Sequence, residues 1–73
     1  MRYTVILKPA EEGGYLVRVP AFPEVITDGD TVKECLDNAK EAIELAMEIY
    51  QERGDLIPGD VKIAQVEVNT PLD

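Results

Sequence analysis

Residues 29–54 read GDTVKECLDNAKEAIELAMEIYQERG, and the rest of the chain makes sense as material packed against them. Thr31 followed three residues later by Glu34 is a capping box. The threonine hydroxyl can accept from a free amide at a helix start, and the glutamate can reach back to the threonine's own amide. Gly54 follows Arg53 where a left-handed C-terminal cap belongs. The 22 residues between, Val32 to Arg53, are predicted as one helix roughly 33 Å long at about 1.5 Å per residue.

The two faces of this helix separate cleanly. Val32, Cys35, Leu36, Ala39, Ala42, Ile43, Ala46 and Tyr50 recur at the spacings of a buried stripe. Glu34, Asp37, Glu41, Glu44, Glu48 and Glu52 recur at three and four and fall nearly opposite, a ridge of carboxylates. Leu45 lies close to that ridge and Ile49 on its flank, both off the centre of the apolar stripe.

Outward from the helix, residues 2–8 (RYTVILK) are β-branched and aromatic, a first strand ended by Pro9. Glu11-Glu12-Gly13-Gly14 is a turn. Tyr15 to Val19 then alternates, so the two runs form an antiparallel hairpin. Pro20-Ala21-Phe22-Pro23 interrupts pairing, because neither proline donates to a ladder. Val25-Ile26-Thr27 is a short third strand leading through Asp28-Gly29-Asp30 into the helix. Beyond the Asp55–Asp60 connector, residues 61–68 (VKIAQVEV) are expected as a last strand, with a bulge or late start near Ala64 where the alternation changes phase. Residues 69–73 are expected as a tail.

The order is β-β-β-α-β, a two-layer α+β domain over residues 1–73. An antiparallel three-strand meander would take the last strand, in parallel, beside strand one through a right-handed crossover. The helix would cover the face supplied by Tyr3, Val5, Leu7, Tyr15, Val17, Val19 and Val66. The opposite face, with Thr4, Ile6, Lys8, Leu16, Arg18, Gln65 and Glu67, has nothing in the chain to cover it. A bare face points to a partner or to self-association.

Composition supports that reading. A domain of 73 residues buries only about 60% of its unfolded surface and commonly leans on disulfides, metal or association. One cysteine excludes an internal disulfide, and without histidine the usual zinc ligands are missing. Association is the support that remains. Seven basic against fifteen acidic residues give a net charge of −8, which disfavours a nucleic-acid backbone as direct ligand and suits a basic protein. No apolar run approaches a membrane span of ~18 residues and no signal-peptide core follows Met1-Arg2, so a cytoplasmic location is expected.

The run Tyr3-x-Val5-Ile6-Leu7, then Gly13-Gly14-Tyr15-x-Val17-x-Val19-Pro20, Phe22-Pro23, Thr27-x-Gly29-Asp30-Thr31 and Glu34-x-Leu36-x-Asn38-Ala39-x-Glu41-Ala42-Ile43 resembles the HicB-like family. These are the antitoxin subunits of HicA–HicB toxin–antitoxin pairs and their stand-alone relatives. About two-thirds of the chain carries the likeness, with Ile57-Pro58 after the helix. The resemblance implies a truncated ribonuclease H-like fold and a partner, HicA, a small basic ribonuclease whose messenger-RNA cleavage the antitoxin blocks. It also implies dimers or tetramers. The family's Pro-Gly-Cys after strand two is Pro23-Glu24-Val25 here. A DNA-binding segment usually follows this domain, whereas this sequence stops at Asp73, so DNA binding is not expected of it.

The sequence therefore predicts a non-catalytic, cofactor-free, metal-free antitoxin that occludes a small basic ribonuclease. Phe22, Glu24, Glu41, Glu44, Leu45 and Glu48 are its candidate contacts. The bland reading of the acidic ridge is solubility. Phe22, stiffened by prolines on both sides, either anchors a partner or plugs the core end, and plugging is the stronger reading. A stand-alone oligomeric scaffold or small-ligand-binding domain is the alternative. A two-metal nuclease is disfavoured because residues 2–8 hold no carboxylate.

Overall fold

A computed structural model of the protein describes residues 1–71. Strand β1 (Ile6–Pro9), β2 (Tyr15–Arg18) and β3 (Ile26–Gly29) are followed by helix α1 (Val32–Arg53), an α+β fold. The sheet is an antiparallel meander in the order β1-β2-β3. Its first ladder ends at the Ile6–Arg18 pair. Two residues past Arg18 stands Pro20, which has no amide to extend it, so residues 2–5 run on beyond the pairing.

The helix ends where its caps place it. Thr31 Oγ1 accepts from the Glu34 amide at 3.1 Å. Gly54, at φ 75°, donates to Gln51 O, and Asp55 donates to Tyr50 O. These two bonds satisfy carbonyls that the last turn leaves open.

Register places Leu7, Val17 and Thr27 in one cross-strand row on the helix side of the sheet. Ile6, Arg18 and Ile26 form a row on the other side, with Lys8, Leu16 and Asp28 beside it. Ile6, Leu16 and Ile26 are all at least half exposed, so the outer face is bare, as its alternation predicts. The core is Val17, Val19, Phe22, Val25, Cys35, Ala39, Ile43 and Ala46. Gly29 lets the helix start lie close on β3, since a Cβ there would meet Cys35 Sγ at 2.8 Å and Cys35 N at 2.9 Å.

The predicted last strand does not form: residues 61–68 carry no strand and are exposed, Val66 to 83%. Val66 is thus no part of the helix-side layer. Two causes are visible. Asp60 takes the Thr4 amide (2.9 Å) and hydroxyl (2.8 Å) with its side chain, so the contact two residues ahead of β1 is made by a side chain and not by a backbone ladder. The phase change at Ala64 also leaves no single register that buries every apolar side chain of the run. The radius of gyration is consequently 15.1 Å and the long dimension 54 Å, against about 11 Å for a compact chain of this length. The expected tail, 69–73, runs past the described residues.

A second departure follows from the first. Val32 and Leu36 belong to the apolar stripe by spacing, yet each is about half exposed. The helix lies over β2 and β3, and three strands are too narrow to cover a stripe this wide.

Candidate functional site

Glu41, Glu44, Leu45 and Glu48 fall within an arc of about 100° at ~100° per residue, on the helix side turned away from the sheet. All four are exposed, Leu45 to 58%. The helix here is a plain α-helix with no proline or interior glycine, so the ridge is straight and its carboxylates stand in fixed order. Asp37, Glu41, Glu44, Glu48 and Glu52 form a chain of like-charged neighbours three or four apart, each such pair costing about 0.2–0.5 kcal/mol. Lys33 relieves only the first of them, by an exposed ion pair with Asp37 at 2.9 Å. A cationic partner laid on the ridge would relieve the rest while Leu45 supplied an apolar contact amid the charge.

Phe22 is elsewhere. It is fully buried and stacks edge-on against Tyr3 (centroids 5.0 Å apart) and Tyr50 (5.5 Å). Two successive turns, closed by Phe22 N to Val19 O and Val25 N to Phe22 O, fold the proline-flanked loop around it. Its place among the exposed contacts is therefore corrected: burying a large ring in a core this small outweighs displaying it. The plugging role, favoured on sequence grounds, is the one the fold uses.

Glu24 is exposed and held by the Tyr50 hydroxyl, which donates to its carboxylate at 2.6 Å. That bond, then the residue's own amide and finally the Arg53 charge, hold the Glu24 carboxyl below the usual range against a small burial effect. Tyr50 projects about 180° around the helix from Glu41. Glu24 is thereby anchored on the sheet side, apart from the ridge. The structure brings Glu41, Glu44, Leu45 and Glu48 together and leaves Glu24 as a separate spot.

Other chemistry is muted. Burial, then the charges of Glu34, Asp28 and Asp30, push the Cys35 thiol up, so this fully buried sulfur is a packing group. Asn38 caps the Asp28 carbonyl at 2.8 Å, giving the acidic turn before the helix a structural task. Among the described residues no cluster of three His, Cys, Asp or Glu side chains is placed to hold a metal ion. No helix among them is long and apolar enough to cross a membrane.

One surface was not foreseen. A groove of about 440 Å³ separates Tyr3 and Val5, just ahead of β1, from Leu36, Ala39, Ile43 and Met47 of the helix. Its signal in the sequence was an apolar stripe too wide for the sheet, hidden because a fourth strand was expected to fill that space.

Comparison with known proteins adds an independent line. A family profile described as HicB-like antitoxin of bacterial toxin–antitoxin systems matches residues 3–71. An antitoxin HicB of Photorhabdus laumondii is 46% identical over 72 residues, covering 99% of this chain and 46% of its own length. An antitoxin HicB of Escherichia coli is 48% identical over 58 residues, 80% of this chain and 42% of the relative. A UPF0150 protein of Thermoplasma acidophilum is 47% identical over 60 residues, 82% of this chain and 87% of the relative. The chain thus spans about half the length of the two named antitoxins.

Proposed function

This chain belongs to the HicB-like antitoxin family, and from that premise we propose that it binds and occludes a small basic ribonuclease toxin of the HicA type. It performs no catalysis of its own and works as a single cytoplasmic HicB-like domain that self-associates. The observation that carries the reading is the ridge of Glu41, Glu44 and Glu48 with Leu45 exposed among them. Charge on a rigid helix steers a cationic partner and speeds encounter, and a central apolar side chain slows its departure. Blocking a nuclease requires only that the bound antitoxin cover the path of RNA to its active site. A negative surface does this doubly, by bulk and by repelling the phosphate backbone.

Co-expression with the product of the adjacent reading frame, expected on this reading to be a small basic protein, tests this. A co-purifying complex and stoichiometric suppression of RNA cleavage are expected. Replacing Glu41, Glu44 and Glu48 together by lysine should abolish both while leaving the helical circular-dichroism signal intact. A chain that neither captures the neighbour nor slows its cleavage overturns the proposal.

A further inference from the structure

Two hydrogen bonds fix how α1 lies along β3. Asn38 Nδ2 donates to Asp28 O at 2.8 Å, and the Tyr50 hydroxyl donates to the Glu24 carboxylate at 2.6 Å. The helix therefore runs back along the third strand, its start by Asp28 and its end by Glu24. Leu45 and Ile49 project within about 20° of Asn38 around the helix at ~100° per residue. They stand on the flank from which Asn38 reaches β3, and are 58% and 39% exposed.

That flank overlooks an open sheet edge, because β3 has a neighbour only in β2. Which backbone groups it offers follows from the hairpin. Ala10 N donates to Gly14 O, so by alternation the Lys8–Leu16 and Ile6–Arg18 pairs exchange backbone bonds. Tyr15 and Val17 then face β3, where they meet Gly29 and Thr27. Ile26 and Asp28 are left with their backbone groups directed outward. Asn38 takes the Asp28 carbonyl. The Ile26 amide and carbonyl and the Asp28 amide stay open among the described residues. With Leu45 and Ile49 above, they form a slot with a polar backbone wall and an apolar roof, a shape that receives an extended segment as an added strand.

We propose that the basic ribonuclease partner adds an extended, Lys- or Arg-bearing segment as a further strand on the free edge of β3, under Leu45 and Ile49. Resting on the toxin-binding reading, this extends the contact from the acidic ridge to the backbone of the sheet. Charge selects the occupant. Exposed Glu24, Asp28 and Asp30 mark the two ends of the edge, and exposed Glu41 and Glu48 flank Leu45. A second copy paired antiparallel on this edge would set those carboxylates against their own counterparts, and like charges facing across a ladder are destabilising. A basic segment meets the opposite condition. Its apolar side chains fill the space beneath Leu45 and Ile49 while its cationic ones reach the carboxylates.

Hydrogen exchange read by NMR, on the full chain alone and co-purified with the product of the adjacent reading frame, tests it. The Ile26 and Asp28 amides should exchange quickly in the free chain and slow about tenfold or more in the complex, together with a stretch of the partner. Ile26→Pro removes an outward amide at a place where an edge strand tolerates proline. It should weaken the complex about tenfold with the helical signal kept, whereas Ile26→Ala, which keeps the amide, should weaken it less. A stable complex in which both amides exchange as in the free chain overturns the added strand and leaves toxin binding standing. Absence of any complex overturns both. Equal weakening by the proline and alanine replacements assigns the effect to the side chain and overturns the strand as well. So does protection already present in the free chain and rising with its concentration, which indicates a second copy on this edge. Should the proline variant not fold, exchange in the parent complex decides alone.

Discussion

Phe22 sits between the rings of Tyr3 and Tyr50 with no exposed surface, so it joins the first strand, the proline loop and the end of the helix. Phe22→Ala should cost about 3–5 kcal/mol, a large part of what a domain this small possesses. Loss of a cooperative thermal transition is expected by circular dichroism, and a melting temperature within a few degrees of the parent would contradict the packing. Beside it, the Tyr50–Glu24 bond sets a pH dependence. The folded carboxyl titrates below its unfolded range, so the bond contributes stability above that range. The contribution is lost as pH falls through the depressed value. Tyr50 is displaced upward, chiefly by the same bond, and its share is present at neutral pH and lost as pH rises through the raised value. Tyr50→Phe keeps the ring stack and removes the bond. The Glu24 carboxyl resonance should then titrate at higher pH, and an unmoved midpoint would refute the assignment. Sequence reading reached Phe22 as a core plug from its flanking prolines, but gave no sign of the Glu24–Tyr50 bond, whose partners are 26 residues apart.

At the scale of elements, the helix is the part most open to local test. Thr31→Ala removes the hydroxyl that takes the Glu34 amide and should cost about 1 kcal/mol in urea unfolding. Gly54→Ala meets no neighbour within 4 Å but must hold φ 75°, so its cost, about 1–2 kcal/mol, is backbone strain alone. Equal stability of the alanine variant would mean that the cap rearranges. The helix bounds were legible because capping and amphipathic spacing are written within one or two turns. The hairpin was legible for the same reason: two glycines at positive φ, Gly13 and Gly14, sit between alternating runs. Residues 61–68 were read as a last strand from their β-branched composition, and the fold gives them no ladder. Propensity describes what a segment can do, whereas a ladder also needs an edge within reach.

For the whole molecule, charge governs how a basic partner arrives. Six of the fifteen acidic residues lie on the helix ridge, so affinity for a basic toxin should fall as salt shortens the Debye length from ~10 Å at 0.1 M. Isothermal titration at rising ionic strength checks this, and an interaction indifferent to salt would move the contact off the ridge. Leu45→Ser should speed dissociation with little change in association rate, since an uncharged contact acts after encounter.

The sequence by itself determined the helix and its caps, the hairpin, the parity of the sheet faces and the acidic ridge with Leu45 in it. Each of these is set by spacings of a few residues, where chain connectivity already fixes the geometry. Tertiary structure alone decided that Phe22 packs between the rings of Tyr3 and Tyr50, that Glu24 is tied to Tyr50 away from the ridge, and that Asp60 grips Thr4. It also decided that three strands leave Val32 and Leu36 half uncovered and residues 61–68 without a ladder. Those outcomes join positions that are distant in the chain. Which of several physically acceptable meetings occurs is settled only when the whole set of contacts competes for the same small core.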